Sequence, residues 1–152
     1  MHNYQTILVA TDFSAHSAEA LARGLQLSQV YHAALHVLHV VEIPTYPVLE
    51  DIAVTGLPGI WDPELSVQIT EESNKQLHRL LEQAGLSQKH GHILQGIASE
   101  EIVTYANHIH AELIVMGKYG VSGWKRLLGS TTDSVLHHAD CDVLAIKLEN
   151  EK

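Results

Sequence analysis

Residues 117–132 form a glycine segment whose composition is typical of a loop that holds phosphate. Four of the ten glycines fall within it, at positions 117, 120, 123 and 129. Glycine lets the backbone turn tightly and lets amide N–H groups approach an anion with no Cβ between them. We expect Ser130 to cap a following helix, with Asp133 three residues on at the spacing of a capping box. A helix N-terminus behind glycine binds phosphate through unpaired N–H groups and the helix dipole.

The charge of this segment is opposite to that of the whole chain. The 152 residues include nine Lys and Arg against eighteen Asp and Glu, a net charge of −9 at pH 7 with His neutral. That balance argues against nucleic acid or an anionic membrane as a partner, since both would repel the chain. Yet residues 113–132 contain no acid, and Lys118, Lys125 and Arg126 supply three of the nine cations. Each alone is typical of a solvated surface charge, but together they suit one small polyanion.

A second candidate ligand group follows the first apolar run of the chain. Residues 7–10 (ILVA) have the pattern of a strand buried on both faces, and Thr11 and Asp12 come directly after it. In an open α/β sheet, ligands bind at the carboxyl ends of strands, where the winding direction reverses. Asp12 is therefore a candidate ligand group. The alternative is that it only stabilises the start of the first helix.

Several familiar nucleotide and catalytic motifs do not match. A P-loop requires Lys directly after its second glycine, whereas Ser130 follows Gly129. The dinucleotide fingerprint places glycines after the first strand, and none occurs between Ala10 and Arg23. Ser122 does not lie in a nucleophile elbow. The residues thus favour neither a standard NTPase, nor a nicotinamide enzyme, nor a serine hydrolase, and no catalytic residue or hydrolytic base is assigned.

The twelve histidines and the single cysteine say less about function. If His90 and His92 lie in a strand, they share one face and could chelate a metal. They lack a clear third ligand, however, so we interpret them as surface or interface residues and assign no metal site. His36 and His39 are expected on opposite faces of the second strand, packed and hydrogen-bonded. Proton sensing by the histidines is a hypothesis. Cys141 alone excludes an intramolecular disulfide and a cysteine-based zinc site, which indicates a reducing compartment.

The elements that must position these residues alternate between strands and helices. Strands are predicted at 7–10, 33–41, 89–95, 113–116 and 142–147, and helices after Ser14 and at 64–84, 98–109 and 130–138. The strand at 89–95 is polar and predicted near an edge, and four prolines between 44 and 63 predict a long connection. The order implies an α/β fold, a single doubly wound domain over residues 1–152 with helices on both faces of a mostly parallel sheet. With no apolar run near ~20 residues and no targeting segment, we expect a cytoplasmic protein without membrane insertion.

The opening residues and the glycine segment resemble the universal stress protein family. The resemblance rests on residues 7–14 (ILVATDFS), residues 38–41 (LHVV) and the glycine pattern, and it covers nearly the whole chain. It implies a five-stranded parallel sheet in the order 3-2-1-4-5 and a homodimer formed through the last strand.

The family's ATP-binding members carry a glycine, two residues, a second glycine, about nine residues and then Gly-Ser or Gly-Thr. Gly117 and Gly120 fit this pattern, and so do Gly129 and Ser130. The spacer between Gly120 and Gly129 has eight residues, which makes the loop one residue tighter.

Carried over position by position, the resemblance implies ATP, with Mg²⁺ as an optional companion, at the carboxyl ends of the first and fourth strands. Asp12 would meet the ribose or adenine side of the nucleotide. The adenine pocket would be lined by Ala10, Thr11 and Val40. The ribose and first phosphate would lie beside Met116 and Gly117, and the phosphates would be held by Gly120, Gly129, Ser130 and Thr131.

The resemblance also implies a role, that of a cytosolic dimeric sensor or adaptor that responds to nucleotide in the stress response with little or no turnover. Two alternatives stay open. One is a member that binds no nucleotide and acts as a dimeric interaction module, which the eight-residue spacer favours. The other is a slow ATP hydrolase, which is supported only by the analogy with enzymes of related α/β fold that act on adenine nucleotides.

Overall fold

A computed structural model of the chain describes residues 3–42, 63–119 and 128–148. Strands β1 to β5 span Thr6–Ala10, Ala34–Val41, Gly91–Gln95, Leu113–Gly117 and Asp142–Ile146. Helices α1 to α4 span Ala15–Tyr31, Pro63–Gln83, Ala98–His108 and Ser130–His138, and a 3-10 turn, Gln88–His90, precedes β3. Residues 44–62 of the predicted long connection lie outside the described residues, and its last residue, Pro63, begins α2.

The five strands of the described residues form one parallel sheet in the order β3-β2-β1-β4-β5, which confirms the predicted fold. β3 lies at an edge, as its polar sequence indicates. β1 is central, and the register pairs Ala10 with Leu38 of β2 and Val9 with Val115 of β4. Because the winding direction reverses between β1 and β4, the carboxyl ends of these two strands meet at the switch point of the sheet.

The core lies on both faces of the sheet, which is why β1 and β4 read as unbroken apolar runs. α1 and α2 cover one face and α3 and α4 the other. The first face is built on Ile7, Val9, Val37 and Val115, and the second on Leu8, Leu38, Ile114 and Val135. All eight of these side chains are fully buried, and burying each contributes roughly 1.5–3 kcal/mol. The packing fixes the helices on a rigid sheet, and the carboxyl ends of the strands remain available to form a ligand site.

His36 on β2 and His92 on β3 form a hydrogen-bonded pair beneath α3. His36 Nδ1 lies 3.2 Å from His92 Nε2, the rings are inclined by 28°, and the Tyr105 ring packs against both. The predicted strand at 89–95 is wrong at its start, because His90 belongs to the 3-10 turn and its Nδ1 donates to the Leu35 carbonyl at 2.9 Å. His90 and His92 therefore do not share a strand face.

Acid is expected to destabilise the fold through the His36–His92 pair. Burial first, and neighbouring histidines second, lower the pKa of both rings from 6.5. A lowered folded-state pKa means that the unfolded chain takes up protons first, so the stabilisation is present above pH 6.5 and is lost as the pH falls through the folded-state values. The free energy of unfolding from denaturant titrations should fall from about pH 7.5 to about pH 5, and fall less in His36→Leu. An identical pH dependence in the variant would contradict this.

Candidate functional site

A cavity of about 470 Å³ opens at the carboxyl ends of β1, β2 and β4. Its volume lies within the range of roughly 300–1,000 Å³ that is usual for small-molecule sites. Of the ten site residues predicted from the sequence, Gly120 lies outside the described residues. The structure places the other nine in the cavity lining: Ala10, Thr11, Asp12, Val40, Met116, Gly117, Gly129, Ser130 and Thr131.

The segment between β1 and α1, residues 11–14, is called the Asp12 turn below. The buried Thr11 anchors it, since its N–H donates to the Leu38 carbonyl of β2 at 2.9 Å and its Oγ1 lies 3.1 Å from Ser17 Oγ. Thr11 Oγ1 also accepts the Phe13 N–H at 3.1 Å. Phe13 has a φ of 63°, in the left-handed region that few aromatic residues adopt. The turn is therefore a strained segment held by its bonds.

The structure shows the helix-start role of Asp12 that the sequence offered and also places Asp12 where a ligand could reach it. Its Oδ1 accepts the Ser14 N–H at 3.0 Å, so the carboxylate organises the start of α1. The helix cap itself is Ser14, whose Oγ accepts the Ser17 N–H at 3.2 Å. Asp12 is nevertheless exposed and lines the cavity, which leaves its carboxylate accessible to a ligand.

His39 was expected to be packed and hydrogen-bonded, and the structure confirms this and also places it in the cavity lining. Its Nδ1 donates to the Thr11 carbonyl at 2.8 Å, and its ring centroid lies 4.2 Å from that of Phe13. Burial lowers the pKa of His39, outweighing the Thr11 carbonyl and the Asp12 carboxylate, which raise it. The ring is therefore neutral at neutral pH.

At the end of β4, Gly117 brings the sheet against the start of α1. A Cβ at this position would lie 2.8 Å from His16 Cβ, 3.0 Å from the His16 carbonyl carbon and 3.1 Å from Ser17 N. Because two of these atoms are backbone, they do not yield as a side-chain end would. This close approach requires glycine.

The two ends of the glycine segment are tied together by hydrogen bonds. Thr132 Oγ1 is buried and donates to the Gly117 carbonyl at 2.8 Å. One residue along, the Lys118 carbonyl accepts the Gly129 N–H at 3.0 Å. The end of β4 and the beginning of α4 are thus held side by side at the mouth of the cavity. Lys118 itself lies over the Tyr119 ring at 5.3 Å, while Lys125 and Arg126 lie outside the described residues.

The predicted capping box at α4 is wrong by one residue. Gly129 is the N-cap, because its carbonyl accepts the Asp133 N–H at 2.8 Å, and Ser130 is the first helical residue. Gly129 has no side chain with which to cap this helix end. The N–H groups of Ser130, Thr131 and Thr132 belong to the first turn and have no partner within the helix. The helix dipole adds partial positive charge at the same place.

The cavity is polarised across the sheet. On the β2 side, Glu42 lines it with Oε1 accepting the Ala98 N–H at 3.0 Å, and Asp12 lies at the adjacent end of β1. On the β4 side, the lining is the donor-rich start of α4. Adjacent strands are about 4.8 Å apart, so the two sides are separated by roughly 10 Å. The lining also includes the buried apolar side chains of Val40 on β2, Ile102 on α3 and Met116 on β4.

Several lining residues were missed by the sequence reasoning, among them His39, Glu42, Ile69 and Ser73. Ile69 and Ser73 lie four residues apart on α2 and are followed by the buried Leu77, which is a helical face that could have been read from the sequence. His39 and Glu42 required the register of β1 against β2. In the described ranges, no three His, Cys, Asp or Glu side chains are placed to hold a metal ion. Across those same ranges, no helix has the length and apolar character of a membrane span.

Comparison with known proteins gives consistent results. A family model described as the universal stress protein family matches residues 3–147. The universal stress protein MJ0531 of Methanocaldococcus jannaschii is 32% identical over 149 residues, covering 95% of this chain and 82% of that protein. The solved structure of MJ0577 from the same organism superposes with a TM-score of 0.78 at 26% identity, covering 99% of this chain and 100% of the other. A universal stress protein solved in complex with cAMP shares the fold, with a TM-score of 0.58 at 24% identity over 96% of this chain and 98% of that one.

Proposed function

The chain belongs to the universal stress protein family, and on that premise we propose that its cavity binds an adenine nucleotide, ATP, at the carboxyl ends of β1 and β4. The observation that carries the proposal is the polarity of the cavity. Hydrogen-bond acceptors and the carboxylates of Asp12 and Glu42 lie at the ends of β1 and β2, and backbone donors at a helix N-terminus lie on the β4 side. A nucleotide has the complementary polarity, with an amine and hydroxyl groups at one end and phosphates at the other.

This polarity fixes the direction of the ligand. Asp12 and Glu42 would repel a phosphate, so we place the phosphates at Gly129, Ser130 and Thr131, with Gly117 beside the first of them. The ribose hydroxyls then meet Asp12. The base lies on the β2 side between apolar groups, with Val40 as its main contact.

The choice of adenine is supported by the resemblance of the glycine segment to that of ATP-binding members. In a solved universal stress protein the same fold holds cAMP. We propose binding without efficient turnover, because Asp12, His39 and Glu42 lie at the ends of β1 and β2, away from the proposed phosphate position where a hydrolytic base would have to act. The role that follows is that of a nucleotide-dependent sensor or adaptor in the stress response, with residues 1–152 acting as one domain.

Pairing of two copies through β5 belongs to the same proposal. Within the described part of the chain, β5 is hydrogen-bonded to β4 alone and lies at an edge of the sheet. Residues 143–146 of this strand are apolar and only half-buried, and an open apolar edge strand is a template for a second copy. Sedimentation equilibrium should give the mass of two chains, and the mass of one chain would contradict the pairing. A cytosolic location is part of the proposal and is supported by the presence of a single cysteine, Cys141, since cysteines of cytosolic proteins are kept reduced.

The Asp12→Asn variant tests the proposed function. Asparagine keeps an oxygen for the Ser14 N–H but loses the charge that would bind ribose hydroxyls, and hydrogen bonds to charged groups contribute about 1.5–3 kcal/mol. Calorimetric titration should show adenosine bound about tenfold more weakly. The affinity for ATP should fall by no more than the affinity for adenosine, because removing one negative charge also reduces repulsion of the ATP phosphates.

The matched control is Glu82→Gln, which removes an exposed carboxylate near the end of α2 and should leave both affinities unchanged. Equal binding by Asp12→Asn and the unmodified chain would contradict the placement of the ribose. A chain that binds neither adenosine nor ATP would overturn the proposed function.

A further inference from the structure

We infer that His39 is a positioning residue for the ligand site, which holds the Asp12 turn in its binding geometry through the Thr11 carbonyl. The inference rests on the proposed nucleotide function only for its binding readout. His39 contacts the turn from β2, a neighbouring strand, whereas the bonds of Thr11 Oγ1 and Asp12 Oδ1 are local.

The register of β1 and β2 explains how the imidazole reaches this position. The parallel ladder ends with Ala10 opposite Leu38, and the Thr11 N–H still donates to the Leu38 carbonyl at 2.9 Å. Beyond that point the chain turns away from β2. The Thr11 carbonyl is then bound by His39 Nδ1 at 2.8 Å. The His39 side chain therefore adds one hydrogen bond between β2 and the chain after β1, at a point where the two backbones are no longer paired.

The hydrogen bond defines the state of the ring. A carbonyl oxygen only accepts, so Nδ1 must carry the hydrogen atom. Burial, the largest influence, lowers the pKa of His39, while the Thr11 carbonyl and Asp12 raise it. At neutral pH the ring is consequently neutral, with hydrogen on Nδ1 and none on Nε2.

The same ring supports the strained residue of the turn. Phe13, at a φ of 63°, packs its ring on His39 at a centroid distance of 4.2 Å and an angle of 31°. Strained backbone persists only where its surroundings over-determine it. Without the imidazole, Thr11 loses a bond and Phe13 loses a packing partner, so the turn is free to relax and Asp12 moves with it.

Two variants separate the hydrogen bond from the volume of the ring. His39→Asn keeps a donor near the position of Nδ1, whereas His39→Leu fills similar space without one. His36→Leu is the matched control, because His36 lies on the other face of β2 and packs against Tyr105 instead of the turn. ATP affinity should fall about tenfold in His39→Leu, the equivalent of one hydrogen bond. It should change by less than about threefold in His39→Asn and not at all in His36→Leu.

Amide hydrogen exchange in the nucleotide-free protein gives a readout that does not depend on ATP. The Phe13 and Ser14 N–H groups, which bond to Thr11 Oγ1 and Asp12 Oδ1, should exchange faster in His39→Leu than in His39→Asn or the unmodified chain. If no variant and no unmodified chain binds ATP, the proposed function fails and the exchange rates still decide this inference.

Three results would overturn the inference. The first is a His39→Leu protein with unmodified affinity and exchange rates. The second is a His39→Asn protein as impaired as His39→Leu at equal stability. Should His39→Leu not fold, the ¹⁵N spectrum of the unmodified imidazole decides, since the Nδ1–H tautomer supports the inference and the Nε2–H tautomer overturns it.

Discussion

Replacing Ser130 with glutamate is expected to abolish ATP binding while making the protein more stable. Ser130 is exposed at the first position of α4, whose N-cap residue, Gly129, has no side chain to cap the helix. A carboxylate there interacts favourably with the helix dipole and should add about 0.3–1 kcal/mol to the free energy of unfolding. The same carboxylate occupies the position proposed for phosphate, and like charges in contact cost several kcal/mol, so ATP affinity should fall by at least about 100-fold.

Opposite changes in stability and affinity distinguish this effect from damage to the fold. Ser130→Gln is the matched control, because it has the same shape without the charge and should bind ATP far more tightly than Ser130→Glu. Adenosine, which has no phosphate, should bind both variants like the unmodified chain. Titration calorimetry and thermal denaturation measure the two quantities. Tight ATP binding by Ser130→Glu would show that phosphate is not held at this helix.

Replacing Gly117 with alanine is expected to lower both the stability of the protein and its affinity for ATP. The added Cβ would meet His16 and the backbone nitrogen of Ser17 at 3.1 Å or less, so β4 and α1 must move apart. Crowding of this kind costs about 1–3 kcal/mol of stability. Because the Gly117 carbonyl holds Thr132 Oγ1, the displacement also reaches the start of α4, and ATP affinity should fall by at least about tenfold.

Gly91→Ala provides the control for stability lost elsewhere. A Cβ at Gly91 would lie 2.6 Å from Leu81 Cδ1 and 3.1 Å from Leu77 Cδ2, which are side-chain ends in the core and not in the cavity lining. It should lower the free energy of unfolding while ATP affinity stays within about twofold of the unmodified chain. Equal affinity loss in the two alanine variants would mean that Gly117 acts only through global stability.

The residue patterns, together with the family resemblance, were sufficient to predict the sheet and the location of the cavity. β1 and β4 are short apolar runs because both of their faces are covered. The polar residues in and before β3 agree with its place at an edge, whereas β5 at the other edge is apolar. The family resemblance implies the strand order 3-2-1-4-5, and in that order the residues after β1 and β4 lie near the switch point. Asp12 and Gly117 were therefore found without coordinates.

Other features depend on the exact residue at which a helix or strand begins, or on the register between strands, and sequence patterns do not resolve these to one residue. The cap of α4 is Gly129 instead of Ser130 because the extended backbone at Gly129, with ψ at 142°, lets its carbonyl begin the helical ladder. His90 lies in a 3-10 turn before β3, and the sequence from 89 to 95 contains no signal that separates this turn from the strand. His39 reaches Thr11 only through the register between two strands distant in sequence.

An ATP titration of ¹⁵N-labelled protein, followed by the amide resonances, tests the central claim most directly. If ATP lies across the switch point, the amides of Asp12 and Gly117 and those of Ser130 and Thr131 should shift together with a single dissociation constant. Adenosine should shift the Asp12 amide but leave those of Ser130 and Thr131 nearly unchanged. Unchanged amides at both places in millimolar ATP, or shifts confined to β5, would contradict nucleotide binding in this cavity.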